Sequence, residues 1–198
     1  VAQLVSEGLD IRLLLIDVAD AASVSAAAAR VAIADGKLDV LINNAGILCD
    51  GASSPLTQAI DDVRQVYETN VFGIMRTTQA FVPLLKNAEQ ASVVNVSSGL
   101  GSLGWMSDMN NPYAEINILG YNTSKSAVNA LTVAFSKALR PFDITVNSTD
   151  PGYTATDFNA HSGPRSVQEA AAGIVWLARQ PAPAPSGQYF FGQESVPW

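Results

Sequence analysis

Five short runs of apolar and β-branched residues alternate with longer stretches in which apolar positions recur every three or four residues. The runs cover residues 11–18, 38–43, 92–97, 144–147 and 188–191. The first three are almost continuously apolar, the pattern of strands buried on both faces in a parallel sheet. Helical patterns fill 21–34, about 57–85, about 119–139 and 167–179. The second of these carries Val63, Val66, Tyr67, Phe72, Ile74, Phe81 and Leu85 on one stripe, and Pro83 marks where its hydrogen bonding should falter. This alternation predicts a single α/β domain over residues 1–198, a doubly wound parallel sheet. Residues 99–118 break the rhythm as a loop insertion, longer than the usual strand-to-helix connection. Residues 180–187, with three prolines, read as a turn into the last strand.

The chain of 198 residues is 48% apolar and 15% charged, as expected for a globular interior. A net charge of −7 argues against a nucleic-acid partner, which needs basic surface to neutralise phosphate. A single cysteine, Cys49, permits no internal disulfide, and a single histidine, His161, argues against a metal site of the zinc type. Apolar runs are too short for a membrane span, and no signal peptide is legible, so a cytoplasmic location is expected.

In open parallel sheets ligands bind beyond the carboxyl ends of the strands. Here those ends read Asp17-Val18, Asn43-Asn44-Ala45-Gly46, Ser97-Ser98-Gly99 and Asp150-Pro151-Gly152. Each alone is equally readable as turn punctuation. Four on one edge point to a binding crevice, where small residues let a flat ligand approach the backbone. On the helix after the insertion stands Tyr121-Asn122-Thr123-Ser124-Lys125. A spacing of four puts Tyr121 and Lys125 on one helical face, either as a surface pair or as an acid–base pair. In the second case the ammonium is expected to pull the phenol pKa down, and Ser98 to offer a hydroxyl to the same carbonyl oxygen.

These segments resemble the short-chain dehydrogenase/reductase family, and more narrowly its carbonyl-reductase-like members. The matching motifs are Asn43-Asn44-Ala45-Gly46, Asn70-Val71-Phe72-Gly73, Val94-Asn95-Val96-Ser97-Ser98, Tyr121 with Lys125, and Pro151-Gly152-Tyr153-Thr154-Ala155-Thr156. The resemblance implies a Rossmann-like fold and hydride transfer between NADP(H), or NAD(H), and a carbonyl or alcohol. It implies catalytic roles for Asn70, Ser98, Tyr121 and Lys125, with Asn70 holding a water of a proton relay. Asp17 and Val18 would contact the adenine end of the cofactor, and Asn44, Ala45 and Gly46 its ribose. Tyr121 and Lys125 would reach the nicotinamide ribose. Pro151, Gly152, Thr154 and Thr156 would hold the carboxamide and nearby phosphate. The partner is a small molecule, and the oligomeric state a homodimer or a monomer.

Three features depart from the family pattern. The opening strand–turn–helix with its Gly-rich phosphate loop is not found before Ile11, so the domain reads as truncated at its N-terminus, with impaired cofactor binding expected. An inactive fragment of such an enzyme is therefore the alternative reading. A sugar-nucleotide epimerase or dehydratase shares the Tyr–Lys spacing, but it would need a larger C-terminal substrate domain. The insertion holds Trp105, Met106, Met109 and Tyr113, which either wall a substrate site or pack the loop down. Asp150 stands where many members carry an uncharged residue.

Overall fold

The computed structural model describes residues 2–49 and 54–198. Four parallel strands lie in sequential order, β1 (Val40–Asn43), β2 (Ala91–Val96), β3 (Ile144–Asp150) and β4 (Tyr189–Phe191). A short antiparallel strand, β5 (Glu194–Ser195), closes the far edge. Five helices flank them: α1 (Ala2–Ser6), α2 (Ala21–Ala34), α3 (Ile60–Tyr67), α4 (Gly73–Leu85) and α5 (Leu103–Ser107). Two more follow, α6 (Leu119–Leu139) and α7 (Val167–Ala178). No described helix is long and apolar enough to cross a membrane.

Strand alternation assigns the two faces. Ala91 and Val93 of β2 and Ile144 and Val146 of β3 pack with Leu85 of α4 and Leu139 of α6. Val94, one residue out of phase, packs with Leu177 of α7 and Phe190 of β4 on the other face. Helices on both faces make the sheet doubly wound, as the pattern predicts. Each fully buried valine here contributes roughly 1.5–3 kcal/mol. Ala27 and Ala28 let α2 approach Phe81 and Leu84 of α4, adding a second helical layer.

A chain of polar side chains crosses this apolar sheet. Asn43 donates to Asn95 Oδ1 (2.8 Å), Asn95 donates to Thr132 Oγ1 (2.9 Å), and the Thr132 and Ser148 hydroxyls share a bond of 2.7 Å. Asn43 pairs with Asn95, and Asn95 with Ser148, in the strand register. A register slip of one residue would break every link, so the chain pins the alignment of three strands to α6.

Several sequence expectations are corrected. Residues 11–18 form no ladder; they have no regular structure and enter a turn at Val18, with Leu13 73% and Leu15 86% exposed. Arg12 holds the run to Asp35 at 2.6 Å, and Arg76 donates to Val18 O at 3.3 Å. A strand needs a neighbouring edge, and a slot of about 310 Å³ separates this run from β1. The expected helix over 57–85 is three pieces, because a π-helical turn at Glu68–Phe72 interrupts it between α3 and α4. Pro83 sits in the last turn of α4, two residues before it ends at Leu85, in keeping with the expected faltering there. β3 runs three residues further than expected, to Asp150. Its polar end Ser148-Thr149-Asp150 reads as a turn, yet it is buried and paired with β4. The insertion over 99–118 is partly regular, with a 3₁₀ turn at Gly99–Gly101 followed by α5.

Candidate active site

Because the strands are parallel, their carboxyl ends meet on one edge. β1 runs into Asn44-Ala45-Gly46, β2 into Ser97-Ser98, and β3 into Pro151-Gly152. The start of α6 abuts that edge, its Gly120 N–H capped by Gln58 Oε1 at 2.9 Å. Two reciprocal bonds lock helix to strand: Lys125 Nζ donates to Val96 O (2.8 Å), and Ser97 Oγ donates to Lys125 O (3.2 Å). The 3₁₀ turn approaches so closely that a Cβ at Gly101 would stand 2.6 Å from the Lys125 carbonyl carbon. Only glycine fits there.

Tyr121 occupies the first turn of α6, and Lys125 Nζ lies 5.6 Å from its ring centre. The Ser98 hydroxyl lies beside the phenol and pulls its pKa down, favouring the phenolate. Even so, burial pushes the phenol up to about 12, and the Asp150 charge adds to the rise. The expected fall is therefore not what the site shows. Burial outweighs the ammonium, whose donated bond goes to Val96 O. Lys125 itself is pushed down to about 8 by burial, with Asp150 pulling back upward.

Asn70 lies in the π-helical turn and is fully buried. Its Oδ1 accepts from Ile47 N (2.8 Å), while Nδ2 donates to Ile47 O (3.0 Å) and to Ser124 Oγ (3.0 Å). Both side-chain donors are thus engaged in bracing the Ile47 backbone, just after Gly46, against α6. A Cβ at Gly46 would stand 3.5 Å from Asn70 Oδ1 and 3.6 Å from Lys125 Nζ, so Gly46 is the point where these groups converge.

The other predicted positions spread along the same edge. Val18, Asn44 and Ala45 line the slot beside β1 together with Thr69. Asp17 is exposed, its carboxylate accepting from Ala19 N at 2.9 Å. Gly152 takes a positive φ of 73°, which turns the chain back after Pro151. Thr154 Oγ1 donates to Gly152 O (3.0 Å), and Thr156 opens a 3₁₀ turn at Asp157–Asn159. From the insertion, Trp105 meets Phe191 edge-on at 6.5 Å and lies beside Gly99, whereas Met109 is 73% exposed.

Three residues at the site went unread in the sequence. Ser124 supports Asn70, and its position beside Lys125 on the Tyr121 helix was an available signal. The Phe158 ring lies 5.8 Å from that of Tyr121, and Arg165 lies 5.0 Å over Phe191; no local pattern marks either.

The short chain dehydrogenase family is matched over residues 1–166. This chain belongs to that family. A short-chain dehydrogenase of Penicillium roqueforti, anuI, is 36% identical over 176 residues, covering 86% of this chain and 68% of that protein. The (+)-neomenthol dehydrogenase of Arabidopsis thaliana is 32% identical over 225 residues, covering 88% of this chain and 75% of its own length. The NADPH-bound carbonyl reductase from chicken fatty liver superposes with a TM-score of 0.88 at 28% identity, over 100% of this chain and 81% of that one. The carbonyl reductase Sniffer of D. melanogaster, at 24% identity and TM-score 0.85, shares the fold over 99% of this chain and 82% of its own. As a short-chain dehydrogenase, the protein is an NAD(P)-dependent oxidoreductase of carbonyl compounds. The residues present are compatible with the ribose end of such a cofactor: Gly46 leaves its backbone open beside the Lys125 ammonium, and Ala45 adds an apolar wall.

Proposed function

We propose that this protein reduces a small aldehyde, ketone or quinone, or oxidises the corresponding alcohol, with NADP(H) as its cofactor. One observation carries the reading: a half-buried phenol beside Ser98 and a buried ammonium, at the carboxyl edge of a parallel sheet. A bound nicotinamide supplies the hydride. Tyr121 supplies the proton to the substrate oxygen, and a high phenol pKa keeps that proton in place until the oxygen gains charge. Ser98 steadies the same oxygen by a second hydrogen bond. Lys125 offers positive charge to a forming phenolate and a donor to the cofactor ribose, and Asn70 holds the Ile47 backbone, just after Gly46, in register with both.

Asn44, Ala45 and Gly46 would line the ribose, and Asp17 and Val18 the adenine end. Pro151, Gly152, Thr154 and Thr156 would bind the carboxamide and nearby phosphate. The choice of NADP over NAD rests on likeness to the NADPH-bound carbonyl reductase. The test uses protein expressed from its complete reading frame, with a panel of aldehydes, ketones and quinones, following the loss of cofactor absorbance. NADPH consumption several-fold above NADH consumption is expected with at least one compound. No consumption with any compound would sink the reading, and preference for NADH would reverse the cofactor assignment.

A further inference from the structure

Asp150 is a carboxylate only 6% exposed, at the last position of β3, and none of the roles above uses it. Burying a lone carboxylate is costly, so its partners should explain why it is there. It accepts from the Gly152 N–H at 2.8 Å, and the Gly99 backbone stands against it, with an N–H that pulls its pKa down. The first belongs to the Pro151–Gly152 turn, and the second to the turn that presents Ser98. A Cβ at Gly99 would stand 3.0 Å from Asp150 Oδ2, so the carboxylate fills the space that a side chain there would need. Four titratable or charged groups surround it: Lys125 and Tyr121 from α6, Arg165 from the loop before α7, and buried Tyr189 from β4. Among the described residues it makes no direct ion pair, because Lys125 Nζ donates to Val96 O. Its charge therefore acts on these groups through space rather than through a direct contact.

We propose that Asp150 is a positioning residue for the Tyr121 chemistry: its buried carboxylate clasps the Ser98 turn to the Pro151–Gly152 turn and is the counter-charge that keeps the Lys125 ammonium protonated. The proposal rests on the carbonyl-reductase reading. It gives the site a division of labour. Ser98 and Tyr121 meet the substrate, while Asp150 sets the distance between the two turns that border it. The same charge opposes ionisation of Tyr121, so the phenol is held as a proton donor. Burial pushes the Asp150 carboxyl up, and the Gly152 and Gly99 N–H groups, Arg165 and Lys125 pull it back toward ionisation.

The experiment is lysine NMR on isotope-labelled protein from the complete reading frame. The Lys125 signal is picked out from the other three lysines by its loss in Lys125→Arg. Wild-type Lys125 should titrate near pH 8, and in Asp150→Asn its midpoint should fall by roughly half a unit or more. The alkaline limb of kcat/KM for carbonyl reduction should move down with it. Asp150→Ser, smaller and also uncharged, should do the same if Asp150→Asn folds poorly. In wild-type protein the Gly99 and Gly152 amide signals should shift together on acidification, as one carboxyl takes its proton. A merely structural Asp150 would lower thermal stability in both variants yet leave the Lys125 midpoint and the alkaline limb in place, which overturns the proposal. Gly99 and Gly152 amides that titrate independently overturn the clasp. Should Lys125 shift as expected in a protein that turns over no carbonyl, the coupling stands and the reductase reading falls.

Discussion

The two sides of the sheet are built to different standards. Around β2, β3 and α6 the interior is tightly cross-linked: Asn43, Asn95, Thr132 and Ser148 form a continuous chain, and Lys125 and Ser97 lock helix to strand. Beside β1 the run over 11–18 lies without regular structure or a ladder, with Leu13 and Leu15 turned to solvent across a slot of about 310 Å³. The difference shows that Ser98, Tyr121 and Lys125 are brought together by one strand end and the helix that follows it. The edge beside β1 depends instead on strand pairing between distant parts of the chain. One part of a sheet can thus be firmly held while its neighbour is not.

Four substitutions sharpen this contrast. Tyr121→Phe should cut turnover by about 10²-fold or more while leaving thermal stability nearly unchanged, read by steady-state kinetics beside a melting curve. Wild-type rates in that variant would remove the phenol from the mechanism. Asn95→Leu should cost about 2–3 kcal/mol in denaturant unfolding, because Asn43 and Thr132 each lose a buried partner. Lys125→Met should abolish a rise in stability with pH. The buried ammonium is lost near pH 8 in the folded chain but only near 10.5 when unfolded. Between these values the unfolded chain binds more protons, so the penalty for burying the charge is full below pH 8 and fades as pH climbs toward 10.5. A variant that keeps the same slope would assign it elsewhere. The smallest effect belongs to the open side: Leu15→Ser should change stability by less than about 0.5 kcal/mol and reduce self-association on light scattering.

The sequence was most legible where chemistry is local. Tyr121 and Lys125 share a helical face by spacing alone, and polar or glycine-bearing strand ends marked the edge at which they act. It was least legible where non-local pairing decides. Residues 11–18 have an ideal strand pattern but no ladder, since pairing belongs to two segments and only one can be read at a time. The end of β3 shows the converse: Ser148-Thr149-Asp150 looks like a turn, and cross-sheet bonds keep it buried. The phenol pKa was misjudged because spacing places a charge nearby but says nothing of the surrounding burial. Arg165 and Phe158 come from a loop with no periodicity, so only the folded chain reveals them.

The α5 region also depends on a distant segment. Ser102 Oγ donates to Pro197 O at 2.6 Å, Gly104 N donates to Trp198 O at 2.7 Å, and the Trp198 ring stacks on Tyr189. During synthesis these contacts cannot form until residues 197 and 198 have left the ribosome, some ninety residues after the segment they secure. The segment that carries Trp105 thus sets well after its own synthesis.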